Sequence, residues 1–271
     1  MGKRIAKLTV DPDTNAASTT ILGWEAMLQE IQSVTTWYTP KLGDDMKRTF
    51  VPMPQIIAKT VLAQILDKLP KLDMIVGTPF FDKNGNLVAT PGYHKESATY
   101  YAPAYGLNVT LPPERPTQDD VAAALSTAME PFIDFPFDGP SSKAHTLAML
   151  LQPLVRNMID GRCPAYLITK PRPDTGAGYL AESIHAIAFG GSYPTSSVKN
   201  SDEEWDKFLL AKLRSSAPMI VIDNVPISYE LKASSLAKYM TDDAYSGRIL
   251  GKSDDAEIAV RNMRLSAVSS G

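Results

Sequence analysis

Cysteine is nearly absent from the sequence: among 271 residues there is one, Cys163. A single thiol excludes a disulfide framework and any zinc site built from several cysteines. Because cysteine is often buried, we expect a reduced, packed thiol in a cytoplasmic protein. Histidine is also scarce, and His94, His145 and His185 are too scattered to form a pair at helical spacing. The sequence therefore gives little support to a metal site built on histidine.

Excess charge of one sign and long apolar runs are missing as well. The net charge is −3, so the whole chain has no basic field that attracts nucleic acid, although a local basic patch would still bind it. No apolar run approaches the roughly 20 residues that a membrane-spanning helix requires. The basic start is not followed by the apolar segment of a signal peptide. The rest of the composition, 44% hydrophobic and 21% charged, suits one large or two ordinary domains.

The hydrophobic pattern divides the chain into three regions. Residues 1–20 are predicted to be a loose polar lead-in, residues 21–116 an N-terminal α+β module with a proline-rich linker, and residues 117–271 an α/β core. Helices are predicted at residues 24–31, 55–66, 117–129, 141–158, 179–188, 201–214 and 231–240. Strands are predicted at residues 34–38, 75–79, 87–90, 100–101, 165–169, 218–223, 256–260 and 263–268. Because helices separate the two buried apolar strands, at 165–169 and 218–223, we expect a parallel sheet.

Local signals support several of these assignments. The pair Asn84-Gly85 predicts a hairpin turn. Thr117 is a typical helix N-cap, and two aspartates follow it at the positive end of the helix dipole. The helix at residues 55–66 is expected to pack through one apolar face, which consists of Ile56, Ile57, Val61 and Ile65.

The most informative stretch joins a buried strand, a loop rich in glycine and proline, and an amphipathic helix, at residues 165–188. This is the layout of a phosphate-binding loop, in which backbone N–H groups and a helix N-terminus face an anion. The usual pattern is G-x-x-x-x-G-K-[ST]. Here Gly176 matches, but Pro171 replaces the first glycine, Ala177 the lysine and Gly178 the hydroxyl residue. The layout is present, whereas the usual charged and hydroxyl side chains are not.

A second buried strand ends in an acidic residue. Residues 219–222 are apolar, and Asp223 and Asn224 follow them. Ligands of parallel α/β sheets bind at the carboxyl ends of the strands, and in phosphate-loop ATPases an aspartate there holds magnesium. The alternative is that Asp223 caps the turn that follows the strand. Both interpretations remain open at this point.

Several segments in order resemble a known family. They are residues 86–93, 133–137, 173–178, 188–191, 202–207, 220–225 and 246–253. Together they resemble the AAA+-like ATPases of phages and integrative mobile elements, which are akin to superfamily-three helicases and often associated with primases. The resemblance implies an AAA+-like P-loop core after a small α+β module, ATP and Mg²⁺ as ligands, and DNA in single-stranded form as a partner. It also implies a hexameric homo-oligomer in the cytoplasm of a bacterial host.

The resemblance also implies roles for individual residues. The residues that would face the nucleotide are Asp174, Thr175, Gly176, Ala177, Gly178 and Tyr179. Asp223 would bind magnesium directly or through water, and Asn224, which cannot act as a carboxylate base, would orient water. Arg248 and Lys252 would contact DNA or a neighbouring subunit; the alternative is that they are ordinary surface charges.

The departures from the family favour a second hypothesis. Ala177 stands at the lysine position, and Asp174 places a carboxylate where the family has glycine. Lys170 and Arg172 would have to supply cations from another direction. The family's strand at residues 263–268 continues into an asparagine-bearing sensor segment, so the core is expected to be C-terminally incomplete. The two hypotheses are therefore an ATP-binding helicase or primase-associated ATPase, and a non-hydrolysing AAA+-like scaffold that binds DNA or a replication partner.

Overall fold

The structure, a computed structural model, describes residues 5–40, 48–170, 175–190, 195–214, 219–226, 228–248, 255–259 and 265–270. These residues form a mixed α/β protein, as predicted. The chain divides into two units, which we describe separately. The smaller consists of residues within Gly2–Asp11 and Ala17–Lys71, and the larger of residues within Pro12–Ala16 and Leu72–Gly271. The domain boundary predicted at residue 116 stays a prediction. No described helix is long and apolar enough to cross a membrane.

The smaller unit is built from short strands and two helices. Its elements are β1 (Ala6–Val10), β2 (Ala17–Ile21), α1 (Trp24–Ser33), β3 (Tyr38–Pro40), β4 (Arg48–Phe50) and α2 (Gln55–Ile65). β1 pairs antiparallel with β2, and β3 pairs antiparallel with β4. The lead-in predicted to be loose therefore contains a hairpin. Its β-branched residues on both sides of a polar Asp/Asn turn explain the pairing.

Two local predictions in this unit differ from the structure. The strand predicted at residues 34–38 starts only at Tyr38, the first residue of β3. The residues before it form a turn and coil after α1, where Thr35 Oγ1 donates to the Ile31 carbonyl at 2.6 Å. In α2 the buried residues are Ala58 and Leu62, whereas Ile56 is 70% exposed. Ala58 and Leu62 are four positions apart and share one helix face. A helix with apolar residues on most sides does not reveal by periodicity which face is buried.

The larger unit begins with five short strands. They are β5 (Met74–Val76), β6 (Phe80–Phe81), β7 (Leu87–Val88), β8 (Gly92–His94) and β9 (Thr99–Tyr101). The predicted hairpin is confirmed: β6 and β7 pair antiparallel on either side of Asn84-Gly85. In its turn, Oδ1 of Asp82 accepts hydrogen bonds from the backbone N–H groups of Asn84 and Asn86, both at 2.8 Å.

The rest of the larger unit begins with two helices, alternates strands and helices after them, and ends in three consecutive strands. The helices are α3 (Gln118–Met129), α4 (Pro140–Val155), α5 (Ala177–Phe189), α6 (Asp202–Arg214) and α7 (Ser234–Thr241). The strands are β10 (Tyr166–Ile168), β11 (Thr195–Ser196), β12 (Met219–Val225), β13 (Ala244–Arg248), β14 (Asp255–Ala259) and β15 (Leu265–Ser270). Thr117 caps α3 as predicted, in a capping box with Asp120. Single 3-10 turns follow α3 and α4.

The central sheet contains four strands in the order β10–β15–β12–β11. All three pairings are parallel, so the predicted parallel sheet is confirmed. β15, the last strand in the chain, lies between β10 and β12. The β13–β14 pair is an antiparallel hairpin inserted in the sequence between β12 and β15.

Helices cover both faces of this sheet. Met219 and Val221 of β12 pack into a core cluster with side chains of α4 and α5. Ile220 and Ile222 pack into a second cluster with α6, α7 and Tyr245 of β13. Because successive side chains of a strand point to opposite faces, the two clusters lie on opposite sides of β12. We call them the α5 face and the α6 face.

The C-terminal end of α5 is held by the turn after β5. The backbone N–H of Gly77 donates to the Phe189 carbonyl at 3.2 Å, and the Thr78 hydroxyl donates to the Ala188 carbonyl. A β-carbon at Gly77 would lie 2.7 Å from that Phe189 oxygen, so only glycine allows the approach. The first strands of the larger unit therefore fix the far end of the helix whose beginning we consider next.

Candidate functional site

The junction between the glycine-rich loop and α5 depends on Gly176. This residue is the N-cap of α5 and has φ 92°, a left-handed conformation that costs a residue with a β-carbon about 1–2 kcal/mol. A β-carbon there would also lie 3.3 Å from Cε2 of Phe135. Glycine satisfies both constraints. The helix then starts directly, and the N–H groups of its first turn have no acceptor within the helix, which makes them available to an anion.

The direction of Asp223 follows from its place in β12. Met219 and Val221 face α5, and Asp223 is the next residue in the same alternation. After it the strand is irregular: Asn224 has φ 56°, and the pairing with β15 changes register between Ile222 and Val225. Asparagine tolerates this left-handed conformation better than most residues. The carboxylate of Asp223 therefore lies at the end of the regular strand, on the side of α5.

The two predicted halves of the site meet at Gly178. Oδ2 of Asp223 lies 3.9 Å from the position that a β-carbon on Gly178 would occupy, an ordinary van der Waals distance. Oδ1 of Asp223 accepts the N–H of Asn224 at 2.8 Å. The carboxylate thus caps the strand end with one oxygen and approaches the start of α5 with the other. The capping role and the binding role, which the sequence left as alternatives, are compatible.

The other predicted residues occupy varied positions. Thr175 is half-buried, Ala177 is buried at 3% exposure, and Tyr179 in the first turn of α5 is 76% exposed. Asn224 is exposed, beside the carboxylate. Arg248 is the last residue of β13.

Three of the sequence predictions fall outside the part of the chain that the structure describes. They concern Asp174, Arg172 and Lys252. Lys170, the last described residue before the loop, is half-buried. Among the described residues, the loop therefore contributes Thr175 and the glycines to the site, and β12 contributes Asp223.

The site has one carboxylate and a helix N-terminus. The described residues contain no group of three or more His, Cys, Asp or Glu side chains that would hold a metal on its own. Magnesium at phosphate sites is usually held by one or two carboxylates together with phosphate oxygens and water. A single aspartate beside a helix N-terminus offers one such carboxylate to a magnesium ion that arrives with a phosphate ligand.

Sequence reasoning missed Phe135 as a member of the site. The segment at residues 133–137 was noted for its resemblance to a family motif, but nothing in the sequence indicated that its aromatic ring would lie against Gly176. The contact joins residues of two different elements, and no local pattern signals it. The prolines and aromatic residues around Phe135, which suggest a rigid segment, were the only available hint.

The sequence analysis also missed a hydrogen-bonded cluster of Asp202, Ser234 and Ser235 on the α6 face. Oδ1 of Asp202, at the start of α6, accepts the N–H and the hydroxyl of Ser235 at 2.9 and 2.6 Å, and Ser234 donates its hydroxyl to Oδ2 at 2.5 Å. These hydrogen bonds lower the pKa of Asp202 to about 2. They also explain why α7 begins at Ser234 and not at residue 231, because a side chain of α6 caps it.

The same face anchors the β13–β14 hairpin. Tyr245 is fully buried, and its hydroxyl donates to Oδ1 of Asp206 at 2.7 Å. Burial, and then this bond to a carboxylate, raise the pKa of Tyr245. Lys238 of α7 donates to the Ser246 carbonyl at 2.9 Å, and its ammonium lies 5.0 Å from the centroid of the Tyr245 ring. One strand of the hairpin is therefore tied to both helices.

No family model matches the chain, and no curated protein matches it. The residues and distances of the site itself are therefore the basis for its function.

Proposed function

We propose that this chain binds ATP with Mg²⁺ at the N-terminus of α5. In this proposal it is an AAA+-like, P-loop ATPase of the superfamily-three helicase type, associated with DNA replication in a phage or integrative mobile element. One observation carries the proposal: Oδ2 of Asp223 lies 3.9 Å from the β-carbon position of Gly178, at the start of a helix capped by a left-handed glycine. Carboxylate, helix end and glycine-rich loop thus converge on one point.

Each part of the site would have a defined task. The backbone N–H groups from Thr175 to Tyr179 would bind the phosphate oxygens, aided by the helix dipole. Asp223 would hold magnesium beside the bound phosphate groups, directly or through water. Gly178 provides no hydroxyl for the ion. When bound, magnesium would neutralise phosphate charge that the absent loop lysine leaves uncompensated.

The strand order supports the AAA+-like part of the proposal. β15 lies between β10, which precedes the loop in the sequence, and β12, which carries Asp223 where its regular pairing with β15 ends. A strand in this position ends between the two parts of the nucleotide site. The resemblance places the family's sensor strand at residues 263–268, and this is where a residue able to contact the phosphates would be needed.

The hairpin supports a role for DNA. β13 ends at Arg248, and the connection to β14 contains Lys252. Basic side chains bind the phosphate backbone of nucleic acids without regard to sequence. We therefore propose that Arg248 and Lys252 contact single-stranded DNA, or a neighbouring subunit of a hexamer.

A specific observation favours the second candidate, a non-hydrolysing AAA+-like scaffold that binds DNA or a replication partner. The loop carries buried Ala177 in place of a lysine, and Asn224 follows Asp223 where a carboxylate base would be expected. Phosphoryl transfer depends on positioned positive charge and on an oriented water. The two candidates share the fold and differ in whether the chain hydrolyses ATP.

Binding of a fluorescent ATP analogue to the full chain, with and without Mg²⁺, tests the proposed nucleotide site. The informative variant is Asp223→Asn, which keeps the shape of the side chain and removes its charge. The matched control is Glu114→Gln, which removes a charge from an exposed residue. We expect magnesium-dependent binding in the micromolar range that weakens about tenfold or more in Asp223→Asn and is unchanged in the control.

Two outcomes would contradict the proposal. The first is an absence of binding at high micromolar concentrations, and the second is equal binding by Asp223→Asn and the unsubstituted chain. If binding is found, ATP turnover with single-stranded DNA separates the candidates. Turnover favours the helicase-type ATPase, and binding without turnover favours the scaffold.

A further inference from the structure

A cavity of about 530 Å³ opens beside the site in the larger unit. Its walls come from the segment before α4, from α4 itself and from β10 and the residues after it. The side chains that matter here are Phe135, Phe137, Ser142, Thr146, Tyr166 and Lys170. This volume lies within the usual range for pockets that enclose small organic ligands. The proposed phosphate site does not explain the cavity, because phosphate groups need no aromatic walls.

One wall of the cavity is an aromatic corner. The rings of Phe135 and Phe137 have centroids 4.9 Å apart and are inclined by 50°. Both side chains are half-buried and pack against the α5-face core. Packing against that core limits their movement. Such a corner presents flat apolar surface to a planar ring, and stacking of bases on aromatic side chains is a common mode of binding.

Other walls of the cavity are polar. The Thr146 hydroxyl donates to the Ser142 carbonyl at 2.9 Å, which leaves the lone pairs of its oxygen as acceptors. The Ser142 hydroxyl donates to Asp138, so that this carboxylate is held at the cavity wall. Apolar walls with a few fixed polar groups are the typical composition of a site for a heteroaromatic ligand.

Phe135 connects the cavity to the phosphate site. The same ring that lines the cavity has its Cε2 atom 3.3 Å from the β-carbon position of Gly176, the N-cap of α5. Lys170 lines the cavity as well, and it immediately precedes the loop. A ligand with a planar ring at one end and a chain of anionic groups at the other matches both places.

We propose that this cavity holds the base of the nucleotide, with Phe135 and Phe137 as the surfaces against which the base packs. The inference rests on the proposed function, because it assigns the second half of the same ligand. It adds that the base contributes binding free energy of its own. ATP should therefore bind more tightly than inorganic tripolyphosphate, which offers the same anionic groups without a ring.

The test compares the affinities of these two ligands for the full chain by titration calorimetry in Mg²⁺. The informative variant is Phe137→Ala, because Phe137 lines the cavity, whereas Phe135 also lies against Gly176. The matched control is Tyr105→Ala, which removes an aromatic ring that is 83% exposed and lies outside the cavity lining. Tripolyphosphate serves as an internal control, since a variant that merely unfolds loses both ligands.

We expect the unsubstituted chain to bind ATP at least about fivefold more tightly than tripolyphosphate, the lower end for one base–aromatic contact. Phe137→Ala should lose most of that difference and keep its affinity for tripolyphosphate, whereas Tyr105→Ala should behave like the unsubstituted chain. Equal affinities for both ligands in the unsubstituted chain would overturn the inference. So would a Phe137→Ala variant that retains the full preference for ATP, or one that loses both ligands in equal measure while its melting temperature is unchanged.

Failure of the proposed function would look different. In that case the unsubstituted chain would bind neither ATP nor tripolyphosphate, and the base-binding role of the cavity would be overturned together with the phosphate site. Binding of tripolyphosphate without preference for ATP would leave the phosphate site intact and overturn only the role of the cavity. The two proposals can therefore be judged from the same titrations.

Discussion

The two faces of β12 are held together in different ways. On the α5 face, the core cluster is apolar and includes Met219 and Val221 of the strand. On the α6 face, an apolar cluster of similar size is accompanied by hydrogen bonds between side chains of different elements, such as Asp202 to Ser235 and Asp206 to Tyr245. The helices on the two sides of β12 are therefore held differently. Apolar packing predominates on the α5 face, whereas directional hydrogen bonds add to it on the α6 face.

The two faces also support different elements of the larger unit. Apolar packing on the α5 face supports a helix whose start forms the candidate anion site, and it leaves a cavity beside that site. Directional hydrogen bonds on the α6 face fix the beginning of α7 and one strand of the β13–β14 hairpin. Because hydrogen bonds restrict orientation more than apolar contacts do, the α6 face is suited to holding the hairpin at a set angle.

The largest effect is expected from Trp205→Ala on the α6 face. Trp205 is 1% exposed, and its indole N–H donates to the Tyr229 hydroxyl at 3.1 Å. Removal of a buried tryptophan leaves a cavity and typically costs about 3–5 kcal/mol of unfolding free energy. Urea denaturation measures the change, with exposed Tyr105→Ala as the control. A loss below about 1 kcal/mol would show that the α6 face does not depend on this packing.

Ile184→Ala is the corresponding change on the α5 face. Ile184 is fully buried in the middle of α5, and its truncation should cost about 2–5 kcal/mol. Because α5 carries the candidate site, the variant should also weaken ATP binding at temperatures where it is still folded, whereas Trp205→Ala should not. Calorimetric titration below the melting temperature of both variants provides the comparison. Equal effects on binding would remove the functional distinction between the faces.

A smaller effect is expected from Tyr245→Phe. The change keeps the buried ring and removes the hydroxyl that donates to Asp206 at 2.7 Å. Hydrogen bonds to charged groups contribute about 1.5–3 kcal/mol, and because Asp206 is only half-buried we expect a value near 1–2 kcal/mol. Hydrogen exchange of the β13 amides should accelerate more than exchange in β12. Uniform acceleration across both strands would mean that the bond stabilises the whole unit and not the hairpin.

The sequence predicted some of this contrast and missed the rest for physical reasons. An apolar run followed by an acid identified β12 and Asp223, because burial and strand ends leave a local pattern. Gly176 could be placed because a glycine-rich loop between a strand and a helix also leaves a local pattern. The contacts of Phe135 and Asp202 could not be predicted, since each joins elements that are distant in the sequence. The packing face predicted for α2 was wrong because the helix has apolar residues on most sides. Periodicity therefore could not show whether Leu62 or Ile56 is buried.

The smallest effects should appear in the pH dependence of stability, where each face has its own titrating group. Burial lowers the pKa of His185 on α5 below its ordinary value of 6.5. As the pH falls, the unfolded chain therefore takes up a proton at this histidine before the folded chain does. The free energy of unfolding consequently falls as the pH drops below about 6.5. Asp202 has a folded pKa of about 2 against 3.8 in the unfolded chain, so its contribution is lost only as the pH falls from about 3.8 towards 2. His185→Gln should flatten the first region and leave the second, and Asp202→Asn should do the reverse. Denaturation curves between pH 2 and 8 separate the two, and a single shared transition in both variants would show that the faces do not titrate independently.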